Sequence, residues 1–179
     1  KKFTFTHHIT YEQQALTCFK QFMNIEIWSV GKENDPHIEV GILNYFKKIK
    51  PYANIQLEII QIPKSKLSQD AEKNKNLEAE YILKKLQTHH YLILLDETGK
   101  KLNSPQWAQQ LQQLMNQRVK TLVLLIGGAY GVTDEIKKTS KQMWSLSDLV
   151  FPHQLVRLLL AEQIYRSYSI LNNLPYHHE

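Results

Sequence analysis

Chemistry in this chain can reside in a glycine-rich turn, in three pairs of adjacent histidines, and in little else that its residue types make obvious. The turn, Gly127-Gly128-Ala129-Tyr130-Gly131, follows the strongly apolar stretch 121–126 and so stands where a buried strand would end. Glycines at such a point let backbone N–H groups approach a ligand closely, and in open α/β sheets ligands bind beyond the carboxyl ends of strands. The turn is neither a P-loop, which needs Gly-Lys-Ser/Thr, nor the spaced dinucleotide fingerprint. Taken alone it is equally compatible with a tight structural turn. The histidine pairs, His7-His8, His89-His90 and His177-His178, invite a metal. Adjacent side chains diverge on a helix or strand, however, and no Asp, Glu or Cys stands at ligand spacing, so no metal is expected. A hydrolytic serine has no anchor either, because no Gly-x-Ser-x-Gly elbow is present.

The elements that would position the turn follow from periodicity. Residues 23–30 alternate apolar and polar and end at Gly31, the signature of a first strand. After a turn at 31–36, residues 37–50 place Ile38, Gly41, Ile42, Tyr45 and Phe46 on one helical face, and Pro51 stops the helix. A second strand is expected over 54–62, an exposed basic loop over 63–70, and a charged helix over 74–86 with a stripe of Leu77, Tyr81, Ile82 and Leu86. Residues 90–96 read as a third, fully apolar strand with 97–100 as its terminal loop. Ser104-Pro105 reads as an N-cap followed by proline at the first helical position, opening a helix to about residue 117. The fourth strand, 121–126, has no polar alternation and is expected to be covered on both faces. Thr133 caps a helix to residue 140, and 143–146 form a short further strand.

The last helix, 154–171, carries Leu155, Leu158, Leu159, Ile164, Tyr165, Tyr168 and Ile170 over more than one stripe. That surface exceeds what one sheet can cover, and a homodimer interface accounts for it. The tail 172–179 is polar and aromatic, suited to folding over a site. Residues 1–22 lack the clean patterning of the rest and read as an extension outside the core, although 11–22 could form a short helix. Strand and helix alternate throughout, which gives an α/β class with a largely parallel sheet, and periodicity alone describes it as open and doubly wound.

At 179 residues and 42% hydrophobic the chain supports one well-buried domain. A net charge of +5 permits binding to RNA or another polyanion. The Lys-rich stretch 64–75 could touch phosphate, but its interspersed acidic residues favour a solvated face. Cys18 is the single cysteine, which excludes a disulfide framework and points to a reducing compartment. No apolar stretch approaches the roughly 20 residues of a membrane-spanning helix, and the N-terminus lacks a signal-peptide core. A soluble cytoplasmic protein is expected, with no membrane partner.

From Met23 to Glu179 the chain resembles the RlmH family of the SPOUT superfamily, the 23S rRNA pseudouridine N3-methyltransferases that use S-adenosyl-L-methionine. The resemblance is carried, in order, by Asn24-Ile25-Glu26-Ile27-Trp28-Ser29-Val30-Gly31, Leu95-Asp96-Glu97-Thr98-Gly99-Lys100 and Leu125-Ile126-Gly127-Gly128-Ala129-Tyr130-Gly131. It continues through Trp144-Ser145-Leu146-Ser147, Phe151-Pro152-His153-Gln154-Leu155-Val156-Arg157, Ala161-Glu162-Gln163-Ile164-Tyr165-Arg166 and the closing Pro175-Tyr176-His177-His178-Glu179. It implies a trefoil-knotted α/β domain over 23–179, an exception to the rule that chains do not thread loops, and a homodimer. It also implies a cofactor site made of Leu95, Gly127, Gly128, Leu146, Ser147, Asp148, Leu149, Val150 and Phe151. His178 stands where relatives often carry arginine or lysine.

Methyl transfer to a ring nitrogen is an in-line displacement, so a protein contributes positioning and stabilisation of the imide once it has lost its N3 proton. With the resemblance as guide, the groups to supply a base or a cation are His153, Arg157, His177 and His178, with Tyr176 able to stack on the target base. Arg166, with Glu162, is read as a pair that knits the dimer. The substrate implied is the pseudouridine in the 23S rRNA subunit-bridge hairpin of the assembled ribosome, selected by the shape of the ribosomal surface because no RNA-binding appendage is recognisable. Two other readings remain: a methyltransferase for another RNA base, such as one in tRNA, and a non-catalytic ribosome-binding or nucleotide-sensing module.

Overall fold

The computed structural model describes residues 23–176. The readings made for residues 1–22, and for His177, His178 and Glu179, lie outside the described residues. Five strands, β1 (Asn24–Val30), β2 (Asn54–Ile60), β3 (His90–Lys101), β4 (Thr121–Ile126) and β5 (Gln142–Ser145), form one sheet in the order β2-β1-β4-β3-β5. Every pairing is parallel. Five helices connect and cover them: α1 (Pro36–Ile49), α2 (Ala71–Lys85), α3 (Ser104–Asn116), α4 (Asp134–Thr139) and α5 (His153–Leu171).

β4 lies at the centre and all six of its residues are buried. Its side chains alternate between two cores, as a strand's period of two requires. Leu122, Leu124 and Ile126 join Ile25, Ile27, Trp107, Leu111, Leu160 and Ile164 on the face covered by α1, α3 and α5. Val123 and Leu125 join Trp28, Ala79, Ile82 and Ile136 on the face covered by α2 and α4. Apolar burial of this kind contributes about 1.5–3 kcal/mol per large side chain. The absence of polar alternation in 121–126 therefore reflects a strand with helices packed on both of its faces.

α5 packs between α1 and α3 on its own face of the sheet. The methyls of Leu158 reach Gly41 of α1, where a β-carbon would lie 3.0 Å from Leu158 Cδ1. Two neighbouring helices, and not the sheet alone, thus cover part of the apolar surface of 154–171. The helix ends where Asn173 takes a left-handed conformation, φ 52°, and Leu174 N donates to Ser169 O at 2.8 Å.

Four boundaries differ from expectation for local reasons. α2 starts at residue 71 rather than 74, because Asp70 is an effective N-cap that accepts from Glu72 N at 2.9 Å and Lys73 N at 3.3 Å. β2 ends at Ile60, short of residue 62. The cap of α3 is Asn103 and not Ser104: Asn103 Oδ1 accepts from Gln106 N, and Gln106 Oε1 accepts from Asn103 N, a reciprocal capping box. Ser104 instead donates its hydroxyl to Gln163 Oε1 on α5 at 3.0 Å.

The fourth difference matters most. Residues 97–100 are not a terminal loop, because β3 breaks its pairing after Leu95, makes an excursion and resumes pairing with β5 at Lys100. Leu95 and Lys100 both stand opposite Trp144, and Lys101 stands opposite Ser145. This is possible because residue 99 is glycine, whose absent β-carbon would lie 2.6–2.8 Å from backbone atoms of Met143 and Trp144.

Gly99→Ala is therefore expected to force backbone apart and destabilise the fold by about 3 kcal/mol. That corresponds to a fall in melting temperature of about 6–12 °C by circular dichroism. A change under about 2 °C would show that the excursion yields without loss of pairing.

Candidate active site

A parallel sheet places all its strand-to-helix loops at one edge. The three adjacent central and outer strands β4, β3 and β5 therefore deliver their loops to one place. Residues 95–98 of the β3 excursion, with 126–132 and 145–151 of the segments after β4 and β5, surround a cavity of about 600 Å³, within the range of small-molecule sites. All nine residues expected to hold a cofactor, Leu95, Gly127, Gly128, Leu146, Ser147, Asp148, Leu149, Val150 and Phe151, line it. His153 lines it too.

Each loop is fixed by its own short-range chemistry. In the first, Asp96 Oδ1 accepts from Thr98 N at 2.9 Å and from Thr98 Oγ1 at 2.5 Å. Burial raises the Asp96 pKa, but these bonds and the nearby Lys137 ammonium outweigh it and hold the carboxylate below its ordinary value. In the second, Gly131 N donates to Gly128 O at 3.0 Å and Gly131 adopts φ 76°, a left-handed conformation that side chains resist. In the third, Ser145 Oγ donates to Ser147 O at 3.1 Å and Ser147 Oγ accepts from Leu149 N at 2.9 Å. An ion pair between Asp148 and Lys101 ties this loop to the end of β3.

The walls are of two kinds. Glycine backbone and the Ser147 hydroxyl offer polar groups, whereas Leu149, Val150 and Tyr130 stand 70%, 88% and 61% exposed around the opening. Large apolar side chains that exposed are uncommon on a finished surface and commonly mark contact with a ligand or partner. A flat heterocycle carrying polar substituents matches both walls. Among the described residues no group of three or more His, Cys, Asp or Glu stands close enough to hold a metal.

A family model described as "Predicted SPOUT methyltransferase" matches residues 23–177. The chain belongs to this family. It is 41% identical over 157 residues to a "Ribosomal RNA large subunit methyltransferase H" of Flavobacterium psychrophilum, covering 88% of this chain and 100% of that protein. A relative with the same name from Flavobacterium johnsoniae is 42% identical with the same coverage. Another from Finegoldia magna is 38% identical over 158 residues, covering 87% of this chain and 99% of the relative.

The SPOUT chain does not bring all the expected catalytic side chains to the cavity. His153 borders it, with Nδ1 3.3 Å from Val30 O. Arg157, one turn later on α5, is 1% exposed. Its Nε donates to Ser29 Oγ at 2.9 Å, and its Nη1 donates to Lys32 O at 2.9 Å and Asn34 Oδ1 at 2.7 Å. These bonds pin the segment leaving β1 against the start of α5. Burial draws the guanidinium pKa down, with Glu39 opposing.

Tyr176 is not a lining residue of the cavity; it lies in an aromatic group with Tyr45 and Tyr165, its ring 4.7 Å from that of Tyr165. Its hydroxyl donates to Glu162 Oε1 at 3.2 Å, and the Arg166 guanidinium sits 4.8 Å from its ring centroid. Burial and the neighbouring Tyr45 and Glu162 push its pKa up. Arg166 and Glu162 form their pair within the chain, Nε to Oε1 at 2.9 Å, which holds the Arg166 pKa above its usual value.

The sequence reading missed cavity residues outside the quoted motifs. Lys75 comes from α2, and Asp134 and Lys137 from α4. The amphipathic pattern of α2 shows only which face packs, and gives no sign that its next strip meets the glycine turn.

Arg157→Met is expected to leave Lys32 O and Asn34 Oδ1 without their donor and to cost about 3 kcal/mol. Urea unfolding measures it. Stability within about 0.5 kcal/mol of the parent would show that the β1 segment holds itself.

Proposed function

We propose that this protein transfers a methyl group from S-adenosyl-L-methionine to N3 of a pseudouridine in the 23S rRNA subunit-bridge hairpin of the assembled ribosome. The observation that carries this reading is the cavity where three loops meet, glycine backbone on one side and exposed Leu149 and Val150 on the other. The names of the relatives support a ribosomal RNA substrate. The residues fit the donor: Leu95, Leu146, Leu149, Val150 and Phe151 would enclose its adenine, while Gly127, Gly128 and Ser147 would meet its polar edges. When bound, the donor supplies an electrophilic methyl on a positively charged sulfur.

The protein's own task is to orient the base and manage one proton. The attacking N3 must be deprotonated, so a neutral imidazole near it takes the proton while a fixed cation favours the imide anion. His153, which borders the cavity, would serve the first role. His177 and His178 follow Tyr176 in the tail and share it. Arg157 positions the β1 segment and the start of α5, and so acts on His153 rather than on the base.

The domain is taken as 23–179, with 1–22 an extension, and the fold as a trefoil knot in which the final segment threads through a loop. A homodimer completes the site. Tyr176 packs beside α1 and α5 of its own chain, away from the lining of its own cavity, while Val40 and Leu43 of α1 are 59% and 54% exposed. A second copy covering that face would let one protomer's tail serve the other's cavity. The enzyme acts in the cytoplasm, where ribosomes are; no helix among the described residues is long and apolar enough to cross a membrane.

Purified protein with labelled S-adenosyl-L-methionine is expected to label intact ribosomes from a strain lacking the enzyme, and not free tRNA. Label in tRNA alone would overturn the ribosomal assignment, and label in neither would favour a binding module. His177→Ala is expected to lower kcat by about 100-fold or more. Calorimetric affinity for the donor should stay within about twofold of the parent. Equal loss of donor binding would place the tail in cofactor recognition instead.

A further inference from the structure

Glu78 has no part in the chemistry described so far. It lies on α2 beside Ala79, with Ala79 and Ile82 buried at 5% and 1% exposure against the sheet. That register turns the Lys75 and Glu78 strip toward the glycine turn, and Lys75 lines the cavity itself. The Glu78 carboxylate occupies the space over Gly128: a β-carbon at residue 128 would sit 2.1 Å from its Oε2 and 2.7 Å from its Oε1. Gly128 is part of the cavity wall. The carboxylate therefore stands against the outer side of that wall, with Gly131, Val132 and Thr133 lining the small space around it.

Among the described residues this carboxylate has no hydrogen bond or ion pair. Lys75, one turn earlier, is committed to Glu72 at 2.7 Å. Burial pushes the Glu78 pKa up, with no neighbouring charge to offset it. A half-buried carboxylate without a partner destabilises a fold, and a residue larger than glycine at 128 would displace it. The other acids around the cavity are differently placed. Asp96 is held through Oδ1 by the backbone N–H and hydroxyl of Thr98, Asp148 is paired with Lys101, and Glu97 and Asp134 are exposed to solvent that screens them.

We propose that Glu78 is the counter-charge for the positively charged methyl donor, acting through the thin wall at Gly128 on the sulfonium in the cavity. The inference rests on the reading of the donor as S-adenosyl-L-methionine. It assigns a partner to a charge that otherwise has none. It also gives the site a direction: once the methyl has left, the sulfur is neutral and the attraction is gone, so product is held less firmly than donor. A carboxylate that instead accepted a ribose hydroxyl, or merely packed the wall, would hold donor and product alike.

The test is calorimetry on the full chain with S-adenosyl-L-methionine and, separately, its neutral thioether product S-adenosylhomocysteine. Glu78→Gln keeps the shape and removes the charge. It is expected to weaken donor binding about tenfold and product binding by less than about twofold. Equal losses for both ligands, or unchanged donor affinity, overturn the proposal. Glu78→Asp is the second variant, since it keeps the charge; it should retain most of the preference for donor over product, and a preference as low as that of Glu78→Gln overturns the proposal. The wild-type titration separates the two levels of argument. No binding of the donor to the wild type overturns the donor assignment and this inference with it, whereas wild-type binding with non-selective variants overturns the role of Glu78 alone.

Discussion

Everything in this molecule depends on β4 being buried on both faces in a sheet whose strands all run the same way. Parallel pairing without exception sends the carboxyl end of every strand to one edge, and burial on both faces fixes β4 between β1 and β3. The excursion of β3 and the loops after β4 and β5 then converge through geometry, with no need for a motif that binds them to each other. What remains for local chemistry is to stiffen each loop where it stands. The Asp96 bonds, the Gly128 to Gly131 turn and the Ser147 bonds do so within a few residues each.

That division explains what could be read from the chain before its structure. Whatever depends on period or on a neighbour within four residues was visible: the β4 run, the strand over 23–30, the proline that stops α1. Of the segments around the cavity, the glycine turn showed in the residues themselves, whereas 146–151 showed only through resemblance to a family, since Leu146 or Val150 in isolation reads as core, and Val150 is the most exposed of the described large apolar side chains. The misplaced cap at Ser104 was a choice between adjacent residues that both cap well. Gln106, three residues after Asn103, decides it by returning the hydrogen bond.

Relations between distant segments were not legible. The guanidinium of Arg157 carries the same sequence signal whether it faces a ligand or is enclosed by Ser29, Lys32 and Asn34, more than 120 residues earlier. Glu78 reads as one more charge on a charged helix until Gly128 is found beneath it. Tyr176 reads as a tail residue free to fold over a site until Glu162, Arg166 and Tyr165 are found around it. In each case a side chain's role is set by tertiary packing, which leaves no periodic trace.

The excursion of β3 has both feet on one residue, since Leu95 and Lys100 each stand opposite Trp144. A hoop anchored in that way has a set circumference. Lengthening it would buckle the hoop rather than carry its ends apart, and shortening it would draw the feet off their shared anchor. Evolution is thus left free to exchange the side chains it displays at the cavity rim, Asp96, Glu97 and Thr98, while the number of residues between the feet stays under mechanical control.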